Sequence, residues 1–237
     1  MNDERETPES GEIRSDLAAR IHLWTIRVLH VTLAIGFVLA LFERQWLNAL
    51  TIAGIFAVMF VPPLLGRKLR VYIPPEFEVL ALVFVYAALF LGEVMNYYER
   101  FWWWDIALHA TSGLLLGIVG FLLVYVLNEN DQVDLHMQPR FVALFAFLFA
   151  VAVGALWEVY EFAMDQLFGL NMQKPMFGDP SGLTDTMWDL IVDTLGAAVI
   201  SLFGLWYLKR PERSFIDMWI LKFVERNPHL FRGGGRD

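Results

Sequence analysis

Six apolar stretches dominate this chain, and three of them carry seven carboxylates and one imidazole at helical spacing. The stretches lie near residues 22–42, 46–65, 78–97, 103–127, 141–167 and 183–208. About 20 residues rising 1.5 Å each cross ~30 Å of hydrocarbon as a helix. The runs are long and continuous and lack the period-two alternation of a membrane β-barrel, which leaves the α-helix as the spanning element. The expected fold is an all-α polytopic membrane bundle of about six transmembrane helices.

Composition agrees. With 57% hydrophobic residues and a mean hydropathy of +0.48 over 237 residues, the chain is too apolar for an ordinary soluble domain. A formal net charge of -8 disfavours nucleic acid as a partner, and the lack of cysteine removes disulfides and thiolate chemistry. Prolines and glycines punctuate the segments: Pro62-Pro63 with Gly66, Pro74-Pro75, Pro139, and Pro175, Gly178, Pro180 and Gly182. Residues 1–20 are polar, lack a signal-peptide core and are expected to form a disordered cytoplasmic tail. A single transmembrane domain is expected over 21–210. In 211–237, Phe215, Ile216, Trp219, Ile220, Phe223 and Val224 recur at helical spacing, which predicts an amphipathic helix on the membrane surface with Lys222 and Arg226 towards the head groups.

Charge sets the expected orientation. Of the 18 Lys and Arg residues, all but Arg27, Arg44, Arg100 and Lys174 fall on the side that holds both termini. The positive-inside rule therefore predicts cytoplasmic termini, with the 3–4 and 5–6 loops outside. On that topology the ionisable residues lie in the outer halves of the last three helices. Asp105, Asp165 and Asp185 lie roughly one turn in, His109, Glu161 and Asp189 about two, and Glu158 and Asp193 about three. Asp105 and His109 are spaced i, i+4; Glu158, Glu161 and Asp165 i, i+3, i+7; Asp185, Asp189 and Asp193 i, i+4, i+8. Each set lines one face. Gly113, Gly117, Gly120, Gly154, Gly196 and Ala197 would let the three backbones approach.

Seven neighbouring carboxylates in hydrocarbon need cations or protons to offset them. Arg100 and Lys174 at the outer mouth could offset two, whereas Arg27 and His30 lie on the first helix and suggest a local pair or a snorkelling arginine. Taken singly, each acid could merely hydrogen-bond a neighbouring helix, and His109 alone would be an ordinary interior histidine. Together they point to a bound divalent metal ion, Zn, Mn, Fe, Mg or Ca, with Asp105, His109, Glu158, Glu161, Asp189 and Asp193 as ligands. Glu93 and Asn96 could extend the site. Ser112 has no elbow or triad context that would make it a nucleophile. The Tyr97, Tyr98 and Phe101–Trp104 run reads as an interfacial aromatic belt.

Three ordered blocks, W-W-D-I-A-L-H-A-T-S-G (103–113), W-E-V-Y-E-F-A-M-D (157–165) and T-D-T-M-W-D-L-I-V-D-T-L-G (184–196), resemble those of YjdF-like bacterial inner-membrane proteins. The resemblance implies a multi-pass protein of the bacterial inner membrane and names no reaction. A weaker similarity reaches VanZ-like proteins through Asp105, His109, Glu158, Asp189 and Gly196. It departs at Glu161, where Gln is expected, and at Asp193, where Asn is expected. Both departures add negative charge and weaken any transfer of a glycopeptide-resistance role.

Two classes of function follow. In the first, metal activates water or polarises a phosphoryl or acyl oxygen of a lipid or lipid-linked substrate at the outer leaflet, with Asp165 or Asp185 as general base. In the second, the carboxylates form a proton or metal-ion transport or sensing site. The apolar inner halves of helices four to six argue against a conducting path. A third alternative is an accessory membrane subunit with a protonated polar core.

Overall fold

The protein is described by a computed structural model covering residues 8–61, 64, 75–128, 137–209 and 226–227. Its helices, in chain order, are α1 (Pro8–Phe42), α2 (Trp46–Met59), α3 (Pro75–Val85), which continues as a π-helix over Tyr86–Val94, a single turn Tyr97–Arg100, α4 (Trp104–Asn128), α5 (Pro139–Phe168) and α6 (Leu183–Leu208). No strand forms among the described residues, so the all-α expectation holds. The expected amphipathic helix in 211–237, the first residues of the N-terminal tail and the basic 2–3 loop lie outside the described residues, apart from Arg226 and Asn227.

Among the described residues, five helical segments are long and apolar enough to cross a membrane: Arg20–Phe42, Pro75–Val94, Trp104–Val124, Pro139–Phe168 and Leu183–Leu208. Of the expected span 46–65, Val61 and Leu64 are helical, residues 62, 63 and 65 lie outside the described residues, and Trp46–Met59 form a helix of 14 residues. At 1.5 Å per residue it reaches only about 21 Å, short of the hydrocarbon thickness. It closes at Phe60, whose carbonyl accepts from Leu64 N at 3.1 Å.

The chain divides into two compact units, Met1–Tyr97 and Tyr98–Asp237. The first packs Leu29, Leu33 and Ala40 of α1 against Ile52, Ile55 and Met59 of α2, with Leu82 and Phe90 completing the cluster. Tyr86 Oη donates to Thr32 Oγ1 at 2.9 Å. Arg27 lies over the Trp24 ring, and His30 donates through Nδ1 to the Ile26 carbonyl and meets Phe56 and Phe60, so both make local contacts. Glu93 is exposed near the end of the π-helix, and Asn96 takes a left-handed φ of 56° in the turn beyond it.

The second unit is a three-helix arrangement of α4, α5 and α6, each packed on the other two. Small residues set the approach. A Cβ on Gly113 would collide with the Asp193 backbone carbonyl, and one on Gly196 would lie 2.6 Å from the Ala110 carbonyl oxygen. On the α5 side, a Cβ on Gly120 would lie 2.7 Å from the Ala146 Cα. The glycines therefore let backbone meet backbone, as expected where lipid supplies no hydrophobic drive and close packing must hold helices together. Large apolar side chains such as Leu156, Val159, Phe162, Leu195, Val199 and Leu202 point outward, as suits a lipid solvent. The buried interior of the same helices holds His109, Glu158, Glu161, Asp185, Asp189 and Asp193.

Candidate metal centre

His109 is the hub of this interior. It is 8% exposed and faces carboxylates from all three helices. Its Nε2 lies 3.7 Å from Asp105 Oδ1 and 3.9 Å from Asp189 Oδ2; its Nδ1 lies 3.2 Å from Asp193 Oδ2 and 3.9 Å from Glu158 Oε1. The i, i+4 step on α4 and the i+4 steps on α6 put these groups on facing stripes, and the close approach of Gly113 to Asp193 and of Gly196 to Ala110 brings the stripes together. Gly154 of α5 makes room for a carboxylate, since a Cβ there would lie 2.7 Å from Asp193 Oδ2.

The two sides of the imidazole differ. On the Nδ1 side Asp193 is fully engaged: Oδ2 accepts from His109, and Oδ1 accepts from Ser112 Oγ at 2.5 Å. Ser112 Oγ also sits 2.8 Å from the His109 carbonyl, so the serine ties helix and carboxylate together. On the Nε2 side, one ligand atom each from Asp105, His109 and Asp189 falls within 4.8 Å of the others. Asp189 is 0% exposed, and neither of its oxygens has a hydrogen-bond partner; the same holds for both Glu158 oxygens and for Asp185 Oδ1. Such orphaned buried acceptors cost several kcal/mol if charged, unless something positive meets them. Tetrahedral Zn with ligands near 2.0–2.2 Å would space them about 3.3–3.6 Å apart, so the 3.7 and 3.9 Å separations need only a small contraction.

The other expected residues take distinct places. Glu161 is buried and accepts from the Trp157 indole Nε1 at 2.9 Å. Asp165 spends both oxygens on backbone, accepting from Met172 N at 2.7 Å and Gln173 N at 2.9 Å. Asp185 accepts from Lys174 N at 2.7 Å through Oδ2, and Gln173 Nε2 donates to Thr186 Oγ1. Consecutive amides of the 5–6 loop are thus pinned by acids of α5 and α6. Lys174 Nζ donates to the Asn171 carbonyl at 2.6 Å and lies 5.3 Å from the Tyr98 ring centre. The roles of Ser112, Trp157 and Gln173 were missed in the sequence. For the first two, spacings of i+3 from His109 and i−4 from Glu161 were the available signal.

Farther along the loop, Gly169 closes α5 with a φ of 64°, donating its N–H to the Asp165 carbonyl. Asp179 organises the start of α6. Its oxygens accept from Ser181 N and Oγ and from Thr184 N and Oγ1. The Ser181 and Thr184 donors hold its carboxyl well below the usual carboxylate range. A depressed folded value stabilises the fold above the unfolded pKa of about 3.9 and loses that contribution as pH falls towards the folded value. Asp179→Ala should therefore lower the thermal midpoint at pH 7, and the gap to wild type should narrow progressively below about pH 4. Thermal melts of the detergent-solubilised protein across that range check this; a constant gap would contradict it.

A cavity of about 510 Å³ opens beside the cluster, with Tyr98, Glu99, Trp102, Asp105 and Ile106 on one side and the 171–177 loop and Asp185 on the other. Asp105 belongs to both the cavity wall and the three-residue cluster.

Comparisons with known proteins fit this architecture. A Thermotoga maritima protein described as uncharacterised is 25% identical over 189 residues, covering 80% of this chain and 92% of its own length. No solved structure matches the chain significantly. The profile of the predicted membrane protein family DUF2238 matches residues 24–210, which takes in the whole of the α4–α6 cluster, and the chain belongs to that family.

Proposed function

We propose that this protein is a metal-dependent membrane enzyme of the bacterial inner membrane that hydrolyses a lipid or lipid-linked substrate. The observation that carries the reading is the convergence of Asp105, His109 and Asp189, with Asp189 fully buried and neither of its oxygens hydrogen-bonded. The donor set, carboxylate oxygens with one imidazole, suits Zn²⁺, Mn²⁺ or Fe²⁺, with Mg²⁺ and Ca²⁺ favoured if more oxygens join. Asp193 takes the place of the carboxylate that accepts from the far nitrogen of a metal-bound histidine, fixing the Nε2 lone pair towards Asp105 and Asp189.

A divalent ion held by Asp105, His109 and Asp189 would supply Lewis-acid polarisation of a substrate oxygen and activation of water. Glu158 lies on the Nδ1 side of His109, with Oε1 3.9 Å from that nitrogen, and would add its negative charge to the surroundings of the ion. Asp165 positions the loop, because both of its oxygens are committed to backbone amides. Glu161, held by the Trp157 indole, completes the acidic wall and can join as a further ligand.

Transport is less well supported. Among the described residues, the buried positions of α5 and α6 away from the cluster are Val142, Ala143, Ala146, Ala150, Gly196, Ala197 and Ser201, which offer one hydroxyl and no charged relay. Elemental analysis of detergent-purified protein tests the proposal: stoichiometric divalent metal is expected. Its absence after supplementation with each candidate ion would leave a protonated, structural polar core as the better reading.

A further inference from the structure

We infer that the cavity beside the cluster binds an ammonium-bearing lipid head group. The inference rests on the proposal that the site acts on a lipid, and it adds which chemistry the substrate presents. The acidic groups lining the cavity are Glu99, Asp105 and Asp185, against the single ammonium of Lys174. Asp185 is 1% exposed, and its Oδ1 has no hydrogen-bond partner while Oδ2 is held by the Lys174 amide. A buried carboxylate oxygen of this kind needs a donor, and a cationic donor meets it best.

Size and lining decide among the candidate cations. A second metal ion needs several oxygen ligands within about 2.0–2.6 Å, whereas Trp102, Ile106, Met176 and Phe177 present carbon surface to most of the cavity. At about 510 Å³ the space suits a head group and not a bare ion. The aromatic wall adds cation–π attraction, and Lys174 Nζ over Tyr98 already shows an ammonium held on such a ring. An anionic head group without an amine would meet more negative than positive charge. Because Asp105 is shared with the metal cluster, a ligand seated here lies against the proposed reactive centre.

The test is equilibrium binding of soluble short-chain lipids to the full-length protein in detergent, both metal-loaded and after chelation. Dihexanoyl phosphatidylethanolamine should bind about tenfold more tightly than dihexanoyl phosphatidylglycerol in both states, and Asp185→Asn should remove most of that preference. Glu99→Gln, at the exposed rim, should reduce it by about threefold and serves if the buried variant does not fold. Tight binding of free ethanolamine would assign the site to a soluble amine and overturn the lipid assignment. Equal affinity for the two lipids in both states would overturn the inference altogether. Failure of the metal reading is seen separately, as a lack of metal with the ethanolamine preference intact.

Discussion

Replacing Asp189 with asparagine should abolish stoichiometric divalent metal binding and leave the protein folded. Asp189 lies at the centre of the α4–α6 packing, wholly buried, and no protein group donates to either of its oxygens. Asparagine has nearly the same shape, so packing is kept while a buried negative charge and an anionic ligand are lost. Removing a buried carboxylate relieves repulsion from Asp105, Asp185 and Glu158 at the loss of one 3.9 Å contact with His109 Nε2, and the metal-free variant should melt no lower than metal-free wild type. His109→Ala should lose metal equally, because the only imidazole in the set goes with it. Asp193→Asn should weaken affinity by about 10- to 100-fold without abolishing it, since Asp193 accepts from His109 and from Ser112 and orients the histidine. Elemental analysis and thermal melts on the same preparations read all three. Retention of full metal content by Asp189→Asn would disprove the assignment of this centre.

The second expectation concerns the helix crossing that assembles the centre. Gly113→Ala and Gly196→Ala should each destabilise the protein by about 3 kcal/mol or more, because the added methyl meets backbone carbonyl oxygen of the facing helix and no side chain can rotate away. The effect should extend to metal binding. Pushing α4 from α6 at Gly113 displaces Asp193, whose backbone is the group struck, and with it the carboxylate that orients His109. Gly54→Ala on α2 is the control: nothing lies within 4 Å of the new methyl. There the change should be neutral or stabilising by up to about 1 kcal/mol, as for a glycine in a helix interior. Thermal unfolding of the detergent-solubilised variants, followed by size-exclusion profile, measures the difference. Equal behaviour of Gly54→Ala and Gly196→Ala would show that the crossing tolerates separation.

Much of this was legible in the residues themselves. The i, i+4 and i, i+3 spacings of Asp105, His109, Glu158, Glu161, Asp189 and Asp193 placed them on helix faces, and hydropathy placed those helices close to where they lie; α6 matches its expected span, 183–208. Within segment 46–65 the break at Phe60 was not legible, because apolar composition records what a chain can bury and not where a helix pauses. Asp165 and Asp185 looked alike in sequence, each one turn from a helix end. Only the return of residues 172–174 over that end separates them, committing both oxygens of the first and one of the second to backbone amides.

The one-dimensional pattern thus decided helix against strand, the faces of α4, α5 and α6 that bear acidic residues, and the need for cations or protons to offset them, because periodicity and the cost of burying charge are local properties of a chain. Which atoms meet was decided by packing. The approach of Gly113 to the Asp193 backbone and of Gly196 to the Ala110 carbonyl sets the distance between helices, and that distance gives Asp193 to one nitrogen of His109 and leaves Asp105 and Asp189 facing the other. Relative rotation and translation of two helices depend on every side chain between them, and no spacing within one helix encodes that sum.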